Sequence, residues 1–429
     1  MDNQIRISVK HLTYLFFFVM LCFPDFVGFR LGIAWNLQRL VLIPFLFWIL
    51  AGNVRRNEIL YLTLKDKKKW ILLFYLLVAL YTMLFNRDIG SFMRPFLDFV
   101  MVYVLTVYLM EKGFEIEDFL KILEVCLWIL AVMGIFEAVT KINLFTYLPL
   151  IDGMGGGGNI RDAGYRIAVN GQHPLGYGMF LLLTFPFVCY RSEEGILDIL
   201  NKPILEILIF INVLCTGSRS TLGLFLLEVM LILLLSRSEQ IKKAFVIIMP
   251  LVGAGILLLI LCSDTKIVQS IIEKMILMFD SVFGTDYAGK WLNYDTLLMD
   301  SSTQYRRYLP RILGLDILNP WIGKGTNYVF STVIDDTVIE SIDNLYVAQY
   351  IKYAYPGLLA LLLLFSGSIV EIAKGILFGK NAIYKVFFIS FIAYFINLWY
   401  VDELGTLRYF FILLGVLSNQ LRQSLRYRE

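Results

Sequence analysis

Five arginines in three separate polar segments are the residues of this chain best suited to chemistry: Arg161 and Arg166, then Arg219, then the adjacent Arg306 and Arg307. A guanidinium carries a planar fork of donors that matches the oxygens of a phosphate or carboxylate. Several of them converging can stabilise a diphosphate as it leaves a sugar with roughly two added negative charges. Breaking such a bond also needs a proton acceptor for the attacking hydroxyl. His173, in Asn170-Gly171-Gln172-His173-Pro174, is a side chain that titrates naturally near neutrality. Each residue also has a plainer role. Arg219 could snorkel from the end of an apolar run, Arg306 and Arg307 could pair with Asp295, Asp300 or Asp316, and His173 could cap the helix entered at Pro174.

The elements that must hold these residues are apolar. Hydrophobic residues make up 58% of the 429 and charged residues 17%, against about a quarter charged in ordinary globular domains. Apolar runs fall at about twelve places: 11–29, 38–51, 70–86, 95–110, 119–139, 174–190, 203–216, 219–236, 244–263, 353–370, 386–400 and 407–420. The expected fold is an all-α, polytopic integral membrane protein with about twelve transmembrane helices, forming one domain over 1–429. The first run keeps Pro24 and Asp25 and lacks a small-residue cleavage site, so it is expected to stay attached. Cys22, Cys126, Cys189, Cys215 and Cys262 lie in apolar runs without ligand spacing and are expected as core thiols.

Lysines and arginines concentrate on one side of this arrangement, as at Lys65, Lys67, Lys68, Lys69, Lys242 and Lys243, while the short turns of the other side carry only Arg30, Arg87 and Arg94. The bias places both termini in the cytoplasm and all five candidate arginines outside. Two outer loops result, 140–173 and the long 264–344. The long loop begins with an amphipathic helix over 266–284, Ile267, Ile271, Met275 and Phe279 sharing one face. It carries eleven acidic against seven basic side chains, which excludes a diffuse cationic surface and nucleic acid as a partner. Gly153, Gly155 and Gly158 satisfy a dinucleotide-binding spacing, but no strand precedes them and no helix follows, so they read as a hinge. Asp25, Asp98, Glu124, Glu137 and Glu228 are costly charges inside apolar runs.

The order of motifs resembles the O-antigen polymerase and ligase family. Arg161 and Arg166 precede His173-Pro174-Leu175-Gly176; Thr216-Gly217-Ser218-Arg219 sits between two runs; Arg306 precedes Asn319-Pro320-Trp321-Ile322-Gly323-Lys324-Gly325, Asp343-Asn344-Leu345-Tyr346 and Tyr355-Pro356-Gly357. The likeness covers about 161–370. It implies a glycosyltransferase of the bacterial plasma membrane that needs no metal or other cofactor. Its donor would be an oligosaccharide on a polyprenyl diphosphate, and its surroundings membrane lipid, with a flippase and a chain-length regulator as partners. It assigns Arg161, Arg166, Arg219, Arg306, Arg307, Asn344 and Tyr346 to the diphosphate and sugars. It puts Asp343 where the acceptor base would stand, with His173 as the alternative, and Asp343 in turn could cap a helix beginning at Leu345. Ligases of the family carry histidine at that position, so aspartate favours polymerisation of repeat units into O-antigen, capsule or exopolysaccharide over transfer to lipid or protein. A lipid-linked oligosaccharide flippase is the alternative from another class, but the two halves of the chain do not correspond.

Overall fold

In the computed structural model residues 9–426 are described, apart from 32, 157, 162–163, 266–267, 270–271, 274, 277–278, 280–284, 286, 292–305, 307, 336 and 379–380. Most of the amphipathic segment over 266–284 and Arg307 lie outside the described residues. The chain is mostly helical, with four two-stranded hairpins among the described residues. The helices are α1 (Val9–Cys22), α2 (Leu37–Ala51), α3 (Asn53–Lys65), α4 (Lys69–Asn86), α5 (Gly90–Glu111), α6 (Ile116–Thr140), α7 (Pro174–Val188), α8 (Pro203–Cys215), α9 (Arg219–Leu235), α10 (Ser238–Leu261), α11 (Leu345–Phe378), α12 (Ile383–Asn397) and α13 (Leu407–Arg426).

Four of them, α4, α5, α6 and α11, are long and apolar enough to cross a membrane, and a fifth crossing is added if α2 and α3 count as one span. These two meet at a bend of 108° beside Gly52, where the Arg55 guanidinium turns back to the Trp48 carbonyl and stacks on its ring at 4.4 Å. The expected run at 11–29 is cut short: α1 stops at Cys22 before Pro24, which cannot continue the ladder. The chain then turns into a hairpin of β1 (Gly28–Leu31) and β2 (Ile33–Asn36). Helices α1, α7, α8 and α12 have 13 to 15 residues, shorter than the ~20 of a full crossing.

Packing within the bundle is aromatic and close. Phe365 of α11 stacks on Phe395 of α12 at 4.0 Å, and Phe410 of α13 meets both rings edge-on. Between helices lying in lipid such contacts, not the release of water, drive association. α11 is broken at Ala354 (φ 56°), just before Pro356, and the carbonyls freed there find partners in the long loop. Lys324 N–H donates to Ile351 O at 2.8 Å and Gly325 N–H to Lys352 O at 3.0 Å. The family-like stretch Asn319–Gly325 is thus a splint on a broken helix. Asp88, in the turn before α5, fixes its far end by accepting from Ser91, Thr326 and Asn327. Burial presses the Asp88 carboxyl upward, but these hydrogen bonds outweigh it and hold the group below its ordinary range.

Contacts across the sequence divide the molecule into two ends. One gathers the β1–β2 hairpin, the loop over 141–173, the turn at 216–218, the loop before α11 and the α12–α13 turn, through bonds such as Gly28 to Pro149 and Asn344 to Trp399. The other gathers Lys68 with Glu371, Lys112 with Glu58 and Tyr190 with Asn381.

Candidate functional site: a charged cavity at one end of the bundle

At the hairpin-bearing end the helices enclose a cavity of about 220 Å³. Arg39, Arg94 and Arg408 line it together with Asp25, Asp98, Asp402 and Glu403. Local structure explains how seven charges meet there. Asn36 caps α2 by accepting the Arg39 N–H, which fixes the first turn and aims Arg39 across the bundle. α5 opens into a π-helical stretch over Pro95–Met101, a widened turn common at functional sites; Asp98 lines the hollow from it and Arg94 from the residue just before it. Gly405, at φ 78°, lets the α12–α13 turn pass so close to Asp25 that any Cβ would collide with its carboxylate.

Most of these charges are paired. Arg39 grips Asp98 with Nε and Nη2 at 2.8 and 2.6 Å, a bidentate fork. Arg94 lies 2.7 Å from Glu403 and Lys352 3.3 Å from Asp402. Burial pushes the Glu403 carboxyl above its ordinary range, although Arg94 and Lys352 pull the other way, and its Oε2 has no hydrogen-bond partner among the described residues. Arg408 is 5% exposed. It stacks on Tyr409 and donates to that phenol at 3.2 Å, while its Nε has no hydrogen-bond partner among the described residues. Asp25 takes part in none of these pairs.

The loop between α6 and α7 leads directly into this cavity. β3 (Asn159–Arg161) and β4 (Gly164–Arg166) form a hairpin whose exit is tied to the end of α6: Glu137 accepts from Ala168 N–H, Val169 N–H and the Tyr165 phenol at 3.0, 2.9 and 3.1 Å. Val169 is held at φ 45°, a strained setting for a β-branched residue. The Asn143 amide secures it further by donating to its carbonyl. Asn170 then donates to the Tyr409 hydroxyl, and Gln172 and Met154 line the cavity wall.

The predicted residues fall in three places. Arg166 is buried, its Nε donating to Thr216 O at 2.7 Å, with Gly217 packed on its side chain. It therefore meets the turn from which Arg219 starts α9, Ser218 serving as the cap. Arg161 stands in β3. His173 caps α7, its Nδ1 accepting the Leu175 N–H and its Nε2 3.0 Å from the Asn159 amide. Both ring nitrogens are thereby engaged. Arg306 pairs with Asp343 at 3.2 Å, and Ser341 donates to the same carboxylate. The N-cap of α11 is Asn344, not Asp343: its amide oxygen accepts from Val347 N–H while its nitrogen donates to Trp399 O. Tyr346 donates to Phe395 O inside the bundle and packs against Trp399. Asn344 and Tyr346, expected on the sugar, have their polar atoms bonded to backbone.

Among the intramembrane acids, Asp25 and Asp98 prove to be cavity residues, Glu137 anchors the hairpin, and Glu124 pairs with Lys202. Glu228 is fully buried without a hydrogen-bond partner among the described residues. Arg39, Arg94, Arg408, Asp402 and Glu403 were not anticipated as site residues. Their common signal was available: each is a charge within about one turn of the end of an apolar run, on the same side. No family model and no curated protein matches this chain.

Proposed function

We propose that the chain is a membrane-embedded glycosyltransferase of the bacterial plasma membrane. It polymerises polyprenyl-diphosphate-linked oligosaccharide repeat units at the outer face, with twelve crossings and both termini in the cytoplasm. The observation that carries this reading is the convergence of arginines at the end of the bundle opposite the lysine-rich turns. Arg166 and the Arg219 turn connect through 167–172 to the cavity of Arg39, Arg94 and Arg408. In this reading Arg166, Arg219 and Arg306, helped by Arg161 and Arg307, meet the diphosphate as the glycosidic bond breaks. Asp343 takes the proton of the acceptor hydroxyl that attacks the anomeric carbon. The Arg306–Asp343 pair gives the two roles an order: a diphosphate that draws Arg306 to itself frees Asp343 to act as a base.

Purified protein in vesicles, supplied with a lipid-linked repeat unit, is expected to give a ladder of products on a gel. Asp343→Asn should abolish the ladder while the protein still inserts and folds, because asparagine keeps the shape and loses the basicity. Movement of the repeat unit across the bilayer without elongation would replace this reading with the flippase.

A further inference from the structure

We infer that the cavity between Arg408 and Asp25 is a subsite for a single sugar ring that carries a carboxylate, such as a hexuronic acid of the repeat unit. The inference rests on the glycan-polymerising reading and specifies one residue of its substrate.

The size of the hollow sets the first limit. At about 220 Å³ it lies below the ~300–1,000 Å³ of pockets that enclose drug-sized ligands, so it takes one ring and not an oligosaccharide. Charge sets the second. Arg39 and Arg94 are neutralised by Asp98 and Glu403, and Asp402 by Lys352. What remains facing the space is one guanidinium, Arg408, and one carboxylate, Asp25. A buried guanidinium with no carboxylate in direct contact is costly; Asp25 acts on Arg408 only at longer range, and among the described residues its Nε keeps no hydrogen-bond partner at 5% exposure. A ligand carboxylate would complete a forked pair there.

The other polar groups of the wall suit the rest of such a ligand. Asp25 and the unbonded Oε2 of Glu403 can accept from ring hydroxyls, and Gln172 offers both a donor and an acceptor. Phe99 and Met154 supply apolar surface for the face of the ring. A diphosphate fits poorly, since its two or more negative charges would meet a single spare cation among four carboxylates. The diphosphate is thereby assigned to the neighbouring arginine segments, and the cavity to a sugar.

The test is a thermal-shift titration of the purified full chain with D-glucuronate, D-glucose and inorganic diphosphate in parallel. A ligand that binds only the folded protein raises its melting temperature in proportion to occupancy. Glucuronate is expected to protect at about 10 mM, glucose to need at least tenfold more, and inorganic diphosphate not to compete with glucuronate. Arg408→Gln should weaken glucuronate protection at least tenfold without lowering the melting temperature of the free protein. Should that variant fail to fold, Gly405→Ser, which thrusts a side chain against Asp25, should likewise abolish the protection. Equal protection by glucose, preference for diphosphate, or no effect of glucuronate on the wild type at about 10 mM would each overturn the subsite. These readouts require no turnover. Failure of polymerisation with glucuronate protection intact would therefore count against the enzymatic reading alone.

Discussion

The two ends of the bundle use the same kinds of side chain to opposite ends. At the end with the lysine-rich turns, Lys68 is 6% exposed and lies 2.5 Å from Glu371 and 2.7 Å from Ser418 Oγ. Tyr103 reaches both Asp66 and Ser418, and Arg422 donates to Asp66 at 3.0 Å. The adjacent void is about 10 Å³, barely the space of one water. At the end that bears the β1–β2 hairpin a similar set of charges borders about 220 Å³, and Arg408 forms no ion pair there among the described residues, Asp25 acting on it only at longer range. Both ends keep a guanidinium nitrogen without a hydrogen-bond partner among the described residues, Arg422 Nη1 at one and Arg408 Nε at the other. What separates them is that Arg422 is ion-paired with Asp66 in a filled network, whereas Arg408 borders open space.

The largest expected effect comes from breaking each end in turn. Arg408→Gln should lower polymerisation by roughly 100-fold or more, the scale of losing one oriented donor. It removes a buried charge that has no ion pair among the described residues, so the melting temperature should hold or rise. Lys68→Met should do the reverse, costing about 3 kcal/mol by stranding Glu371 while activity per folded molecule is retained. Parallel loss of stability and activity in both variants would erase the distinction between the ends.

The splint on α11 sharpens the comparison. Gly325 sits at φ 82°, and a Cβ there would come within 2.9 Å of Ser91 Oγ and 3.0 Å of an Asp88 oxygen. Gly325→Ala should therefore cost about 1–3 kcal/mol of local stability. Hydrogen exchange at the Lys324 and Gly325 amides should accelerate, with the Lys68 end unaffected.

Next in size is a pH effect. The Asp88 carboxyl is held below its ordinary range in the folded state. Its contribution is therefore present above the unfolded pKa of about 4 and is lost as pH falls through the lower folded value. Limited proteolysis of the 319–327 segment should stay slow at neutral pH and quicken only in acid below that range. Asp88→Asn should flatten this dependence.

The smallest change is expected at His173. Asparagine caps helices well, so His173→Asn should alter stability by only a few tenths of a kcal/mol and leave activity near normal, whereas His173→Ala should cost about 1 kcal/mol. Polymerisation assays of His173→Asn decide the matter, since a catalytic histidine would not tolerate the change.

Much of the helix pattern was legible because hydropathy and length are local properties. The runs at 203–216 and 219–236 became α8 and α9 almost residue for residue. The bends were harder to read. Gly52 breaks the helices at the end of the apolar run 38–51, and Ala354 breaks α11 at the start of the run 353–370, inside Leu345–Phe378. Such breaks depend on partners far away in sequence, Gly323 to Gly325 in the case of α11. Of the polar residues singled out in the sequence, His173, Asn344 and Tyr346 hydrogen-bond to backbone at helix ends or inside the bundle. A polar side chain beside a helix end satisfies whichever group is nearest, and sequence spacing cannot say which that is.

By itself, then, the sequence determined an apolar helical chain, its charge asymmetry and the segments rich in arginine, since each follows from residue type and local period. Only the tertiary structure decided that Asp25, Arg39, Arg94, Asp98, Asp402, Glu403 and Arg408, drawn from four regions of the chain, share one cavity. Which charges neutralise one another, and which is left over, depends on distances of a few ångströms between helices. Those distances are set by packing and by the turns at Asn36, Pro95 and Gly405.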